Sequence, residues 1–428
     1  MKRLFALLVL FSLIPTAAFA STGTIDSGDT AWVLISAALV MMMTPAGLAI
    51  FYGGMSRNKN ILNSMGMSLV TYAIVSVLWI IYGYTLSFGS DISGIIGSLQ
   101  YLFMNVDIHK AASGTHVSIL AFSAFQLTFA AITTALISGS VVERIKFSSW
   151  VVFSILWFSL VYIPLAHWVW GGGWLTKMGI ADFAGGLVVE TASGISGLVF
   201  ALVLGPRRGF KKMAMPPSSI ALTIFGAAML WFGWFGFNAG SAVSSGALAS
   251  NAFLTTNTAG AMGAVIWMVL DWIIHKHPTM LGAASGAVAG LVAITPAAGF
   301  VNNMGAVVIG AVAGIISWFA TGYLKYKLGY DDSLDVFGVH GLNGIWGIIA
   351  IGFLADPKVN FAKGLLYGGS HQLYVQIVGV VSTIAFVALG TFIAAKITSV
   401  LTNGLRVTEE DEVRGLDISV HTEKGFEL

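Results

Sequence analysis

Long apolar runs recur along this chain near 31–55, 64–87, 117–141, 149–168, 183–204, 218–237, 247–274, 279–297, 303–325, 337–354 and 372–401, separated by short polar stretches. Most of them reach the roughly 20 residues that carry a helix across a bilayer. None shows the short period-two alternation of barrel strands, so the pattern predicts helices. The runs at 279–297 and after Phe337 are the glycine-rich ones. The expected fold class is an all-α polytopic membrane protein with eleven transmembrane helices. Composition agrees: of 428 residues, 57% are hydrophobic and only 9% charged, too little charge to cover a soluble protein of this size.

Charge then orients the pattern. Arg57, Lys59, Arg144, Lys146, Arg207, Arg208, Lys211, Lys212, Lys276, Lys325 and Lys327 fall in alternate loops, while the other loops carry Lys110, Lys177, Lys358 and Lys363. Eleven basic residues against four place the first set in the cytoplasm. An odd number of spans then puts the N-terminus outside and the C-terminus inside. The first 20 residues read as a signal peptide: Lys2 and Arg3, an apolar stretch from Leu4 to Ile14, then Ala18 and Ala20 at a small-residue cleavage site. Cleavage leaves the mature N-terminus outside, in agreement; an uncleaved first helix is the alternative. The predicted transmembrane domain is 21–402. Residues 403–428 are polar and charged, and read as a cytoplasmic regulatory tail or a simple solvated end.

Eleven spans divide as five plus five plus one. With five helices per half, the second half enters the membrane upside down, so inverted repeats are expected over about 31–204 and 218–354, with an extra helix at 372–401. The last span of each half supports this. Glu190 is followed by Gly194, Ile195 and Gly197; His340 is followed by Gly344, Ile345 and Gly347 at the same offsets. Upstream, Asp182 precedes Glu190 and Asp335 precedes His340.

Glu190 and His340 are the candidate chemistry. Glu190 is the one acidic residue deep in a predicted span; Asp271 lies near a span end beside His275 and Lys276, where water is within reach. A charged side chain at mid-bilayer costs a few kcal/mol and calls for a partner or a function. If the repeats are inverted, Glu190 and His340 meet near the midplane. They form either a proton-handling or solute-binding pair or a structural hydrogen bond. One Glu and one His are too few ligands for a metal, and the absence of cysteine removes thiolate sites. No nucleophile–base set suggests an enzyme, no cofactor motif appears, and a net charge of +2 argues against nucleic acid. Small-residue spacings such as Gly282–Gly286–Gly290 allow close helix packing and a narrow pore. Aromatic clusters at Phe125/Phe129, Trp168/Trp170/Trp174 and Trp234/Phe235/Phe237, the last near Ser241, supply either an interfacial belt or faces for a small cation.

Eight motifs in order carry a resemblance across the mature chain: FYGGMSRNKN (51–60), AFQLTFA (124–130), ERIKFS (143–148), YIPLAHWVWGGG (162–173), DFAGG (182–186), GWFGFNAGSA (233–242), DDSLDVFGVHG (331–341) and GLRVTEEDEVRGLD (404–417). The chain resembles the Amt/Mep/Rh ammonium transporters of the bacterial Amt type. The resemblance implies an ammonium recruitment site at Phe129, Trp170 and Ser241. It implies a phenylalanine gate of Phe125 or Phe129 against Phe237, a structural Asp182 near that mouth, and a pore pair in which His340 keeps the family's second histidine. The first pore histidine is here Glu190, as in some members, fungal ones among them. The resemblance also implies a homotrimer in the inner membrane. Its tail, at Arg406, Glu410, Glu412, Gly415, Leu416 and Asp417, would dock a PII-type regulator (GlnK). The function so implied is ammonium uptake for nitrogen supply, with deprotonation near the gate and proton relay through Glu190 and His340. The alternatives are a passive ammonia channel and an ammonium sensor with little flux.

Overall fold

The computed structural model describes residues 24–426. The signal-peptide assignment at 1–20 lies outside the described residues. Membrane-length helices follow in chain order: α1 Ser27–Met55, α2 Asn58–Phe88, α3 Ile119–Val141, α4 Phe147–Met178, α5 Gly186–Leu204, α6 Ile220–Ala239, α7 Ala247–His275, then α9 Asn303–Leu328, α10 Phe337–Leu354 and α11 His371–Leu401. Among the described residues these ten are long and apolar enough to cross a membrane. The eighth predicted run forms a shorter helix, α8 Met280–Ile294, of 15 residues. At 1.5 Å per residue it covers about 22 Å, less than the hydrocarbon core. Thr279 caps its start by accepting from the Gly282 N–H, and Pro296, which cannot continue a helix, follows its end. A small hairpin, β1 Asp91–Ile92 with β2 Ile96–Gly97, marks one face of the bundle. The tail, with α12 Glu409–Arg414 and α13 Leu416–His421, lies on the other.

The two halves meet where α5 crosses α10, and glycine permits the approach. A Cβ added to Gly194 would strike the Gly341 backbone N. One at Gly344 would come within 2.7 Å of the Thr191 N and 2.8 Å of the Glu190 Cβ. Each glycine lies one helical turn after its own ionisable residue and packs on the partner's, so the contact is reciprocal. The next turn repeats the symmetry: Gly197 faces Val336 and Ser140 at the end of α3, and Gly347 faces Ala293 and Pro296 at the end of α8. The helix α11 packs against both α5 and α10 and joins the halves.

The tail face is held by a buried ion network. Glu143, in the left-handed region at φ 73°, accepts from the Arg57 backbone N at 2.7 Å and Arg57 Nε at 2.8 Å, and pairs with Arg207 at 3.2 Å. Arg207 also forks onto Asp331, with Nη2 on Oδ1 at 2.8 Å and Nε on Oδ2 at 3.0 Å. Arg144, fully buried, donates to the carbonyls of Gly205 and Asp331 and to Ser333 Oγ. Burial alone would raise the Glu143 and Asp331 carboxyls. The arginines outweigh it and hold both below the usual carboxylate range, Arg207 foremost. Three of the five loop sets counted as one side by their charge thus converge on one face with the tail.

A carboxyl held below its unfolded value stabilises the fold at neutral pH and loses that contribution as pH falls through the folded value. Amide protection at 405–421, relative to the intrinsic exchange rate at each pH, is therefore expected to fall below about pH 4. Arg207→Met, which strands buried Asp331 and leaves Glu143 with Arg57 alone, should lower it at neutral pH and cost about 3–5 kcal/mol. At the crossing, Gly194→Val or Gly344→Val forces the backbones apart and should cost about 1–3 kcal/mol of thermal stability in detergent, against little effect from Gly322→Ala in open space.

Candidate functional site

The aromatic cluster lies at the hairpin-face end of the bundle axis. Phe129 on α3 stacks against Phe237 on α6, ring centroids 4.2 Å apart and planes 31° apart. The Phe129 and Trp170 rings stand nearly perpendicular, centroids 5.9 Å apart. Phe125, one turn earlier on α3, contacts Phe129 edge-on at 4.8 Å and lies against Gly240. Of the two residues expected opposite Phe237, it is Phe129 that stacks on it. Trp170 is fixed through its Nε1, which donates to the Asp182 carbonyl at 3.0 Å. Ser241 donates to the Phe237 carbonyl at 2.8 Å, so its hydroxyl oxygen remains an acceptor.

Below the Phe129–Phe237 stack is a small apolar cavity walled by Ile132, Leu136 and Trp234, with Glu190 and His340 at its floor. His340 Nδ1 lies 2.7 Å from Glu190 Oε2, both side chains buried. Both residues sit in wide π-turns, Gly186–Thr191 and Phe337–Gly341, a distortion frequent at functional sites. His340 also lines a second cavity toward the tail face, with Ser285, Thr321 and Asp335. The order along the axis is therefore aromatic stack, apolar chamber, Glu–His pair, and a second chamber with polar groups.

Each π-turn is started by a buried aspartate. Asp182 accepts from the N–H groups of Gly185, Gly186 and Leu187 at 2.6–2.8 Å. Burial pushes its carboxyl up to about 6. The corresponding residue of the second half is Asp332, not Asp335. Asp332 accepts from the Phe337 N–H at 2.7 Å and is likewise pushed up to about 6 by burial, with Asp335 adding to the effect. Asp335 instead pairs with Lys325 at 2.8 Å. The signal was present in the chain: Asp332 stands eight residues before His340, as Asp182 does before Glu190. Because Asp182 caps the π-turn from the hairpin face and Asp332 from the tail face, α5 and α10 run in opposite directions.

The residues match the Ammonium Transporter Family model over 31–426. The chain belongs to that family. It is 48% identical to the ammonium transporter of Aquifex aeolicus over 420 residues, covering 98% of both chains. It is also 48% identical to the ammonium transporter Amt1 of Archaeoglobus fulgidus over 401 residues, 94% of this chain and 100% of that one. Among solved structures it superposes on Saccharomyces cerevisiae Mep2 with a TM-score of 0.85 at 34% identity, over 90% of this chain and 89% of that one. A sensor Amt protein gives the same TM-score at 28% identity, over 92% and 98%. The chain is thus a multi-pass membrane protein of a transporter family, not of an enzyme family.

In this family member the tail is engaged by the body of its own chain. Arg406 pairs with Glu412 at 2.7 Å, and Glu412 accepts from the Arg208 N–H. Gly415 packs on Lys59, the Leu416 N–H donates to Asn60, and Asp417 accepts from the N–H groups of Leu62 and Asn63 at the start of α2. Glu410 is exposed. Asp271, expected to reach water, is buried and satisfied instead: it accepts from Thr279 at 2.6 Å and from Trp318 Nε1 at 2.9 Å. The short α7–α8 connection folds Thr279 back onto it.

Asp182→Asn keeps the shape but weakens the cap. It is expected to cost about 1–2 kcal/mol of thermal stability and to loosen the π-turn, read as faster amide exchange at 185–190.

Proposed function

We propose that this chain takes up ammonium across the inner membrane through the axis described above. The N-terminus lies outside, the C-terminus in the cytoplasm, and α8 counts as an eleventh crossing. Gathering of the basic loops and the tail on one face supports that orientation. The mature chain would begin after the signal peptide, and 21–402 would form the transport unit.

The observation that carries the reading is the Glu190–His340 contact directly beneath an aromatic stack. Ammonium is captured at the outer mouth by the faces of Phe129 and Trp170 and by the Ser241 hydroxyl, with Phe125 one turn outward. Aromatic faces hold a small cation without a fixed carboxylate. Beyond the Phe129–Phe237 gate the chamber is apolar, and a bare cation there loses its hydration with nothing to replace it. The cation therefore gives up its proton near the gate. Ammonia crosses the chamber, and the proton moves separately through Glu190 and His340 toward the second cavity, where ammonium re-forms. One N–H bond breaks and one forms per cycle, and the net charge moved is one. Glutamate in place of histidine keeps a proton acceptor at the position.

The family resemblance supports a homotrimer with one pore per subunit. It also supports a PII-type regulator that reads the tail at Arg406, Glu410, Glu412, Gly415, Leu416 and Asp417. Of these, Glu410 is the side chain displayed to solvent in the docked tail.

The test is electrical. Protein reconstituted in liposomes should give an ammonium-evoked current. Glu190→Gln, which removes the ionisable group, should reduce it by about tenfold or more, and Glu190→His should restore much of it. Ammonia flux without current in the parent protein would establish the passive-channel reading. Unchanged current in Glu190→Gln would make the pair structural.

A further inference from the structure

Away from the pore pair, His167 in the last helical turn before α4 breaks at 170–173 is fully buried, yet both of its ring nitrogens face oxygen atoms. Nδ1 lies 2.9 Å from the Ser87 carbonyl, which can only accept. Nε2 lies 2.9 Å from Asp91 Oδ1 on β1. Asp91 also meets Lys177 Nζ at 2.6 Å through Oδ2 and accepts from the Gly94 N–H. The His167 and Lys177 hydrogen bonds hold its carboxyl down at about 2, so it cannot donate to the ring. A neutral imidazole has one N–H and would leave one lone pair aimed at an oxygen. Two acceptors therefore require two N–H groups. Asp91 from the hairpin and Lys177 from the stretch after the turn are the charged groups that face the ring among the described residues. The ring is also locked in place: a Cβ on Gly171 would meet Nδ1 at 2.6 Å.

What this ring holds is the turn that carries Trp170. The His167 carbonyl accepts from the N–H groups of Gly171 and Gly173, at 3.0 and 2.9 Å. Trp168 and Trp174 donate to Ile95 and Gly94 of the same hairpin. Three residues beyond His167, Trp170 makes its perpendicular contact with Phe129. The hairpin, the turn and the aromatic wall are thus one assembly with an ion pair at its centre.

We propose that His167 is a positioning residue of the pore mouth: held doubly protonated between Ser87 and Asp91, it fixes the turn bearing Trp170, and cation capture weakens as outside pH rises and the ring loses a proton. The inference rests on the transport reading for its link to capture, but not for the charge state itself. The sign follows from the contacts. Protonation makes both hydrogen bonds; deprotonation leaves the one N–H on the Asp91 carboxylate and turns a lone pair against the Ser87 carbonyl.

Two measurements test it on the full-length protein in liposomes. First, nitrogen-15 spectra of histidine-labelled protein, assigned by comparison with His167→Gln, should show two protonated ring nitrogens at neutral pH with no substrate present. A ring with one bare nitrogen would overturn the proposal whatever the transport activity. Second, the KM for methylammonium, which stays a cation over the range used, is followed between about pH 5 and 8. It should rise several-fold toward the alkaline end while the maximal rate changes less. Asp91→Asn should move that rise to lower pH. Lys177→Met, an exposed site that spares folding, should move it to higher pH, since Lys177 competes for the same carboxylate. Both variants leave Glu190 and His340 untouched. An Asp91→Asn profile raised equally at every pH, or a Lys177→Met profile that does not shift, would mean that His167 merely braces the fold.

Discussion

The site depends on how closely two backbones approach. Glu190 and His340 share a 2.7 Å contact because α5 and α10 cross without side chains between them, glycine against glycine. A methyl group at Gly194 or Gly344 would occupy the space through which the partner helix passes. The crossing places both ionisable groups in the bundle interior, where both are buried and each is the other's hydrogen-bonding partner. In a medium of low dielectric, such a contact is stronger than at a surface, and leaving either group alone is correspondingly costly.

Reciprocity extends outward from that crossing. Each of the two helices begins in a π-turn, and each π-turn is capped by an aspartate eight residues before the ionisable group. The caps sit on opposite faces. Their surroundings differ: Asp182 adjoins the indole of Trp170, while Asp332 adjoins the Lys325–Asp335 pair. The repeat thus provides matching backbone supports, and the loops attached to each end determine the chemistry displayed there. On the tail face that chemistry is buried ion pairing that gathers three connections and the C-terminal segment. On the hairpin face it is an aromatic wall braced by a histidine between two acceptors.

Much of this was legible in the chain. Hydrophobic runs located ten membrane-length helices and the short α8, since bilayer thickness imposes a length that sequence records directly. The recurrence of Gly, Ile and Gly after Glu190 and His340 pointed to the symmetric crossing, because close approach restricts residue type. Two readings changed. The mate of Asp182 is Asp332 rather than Asp335: three acidic residues stand within five positions, and nearness to His340 was a poorer guide than equal offset. Asp271, read as reaching water, is buried under Thr279 and Trp318, a closure made by a tight connection that hydropathy does not report.

Sequence alone determined the membrane class, the positions of ten membrane-length helices and the short α8, and the two residues that had to find partners. Those follow from local rules of length, charge and side-chain size. Only the tertiary structure decided which aromatic stacks on Phe237, which aspartate caps the second repeat, and that His167 faces two acceptors at once. Each of these depends on a side chain's direction relative to residues distant in the chain: His167 meets an aspartate 76 positions before it. Such directions are set by how helices cross and loops fold back, and no local pattern encodes them.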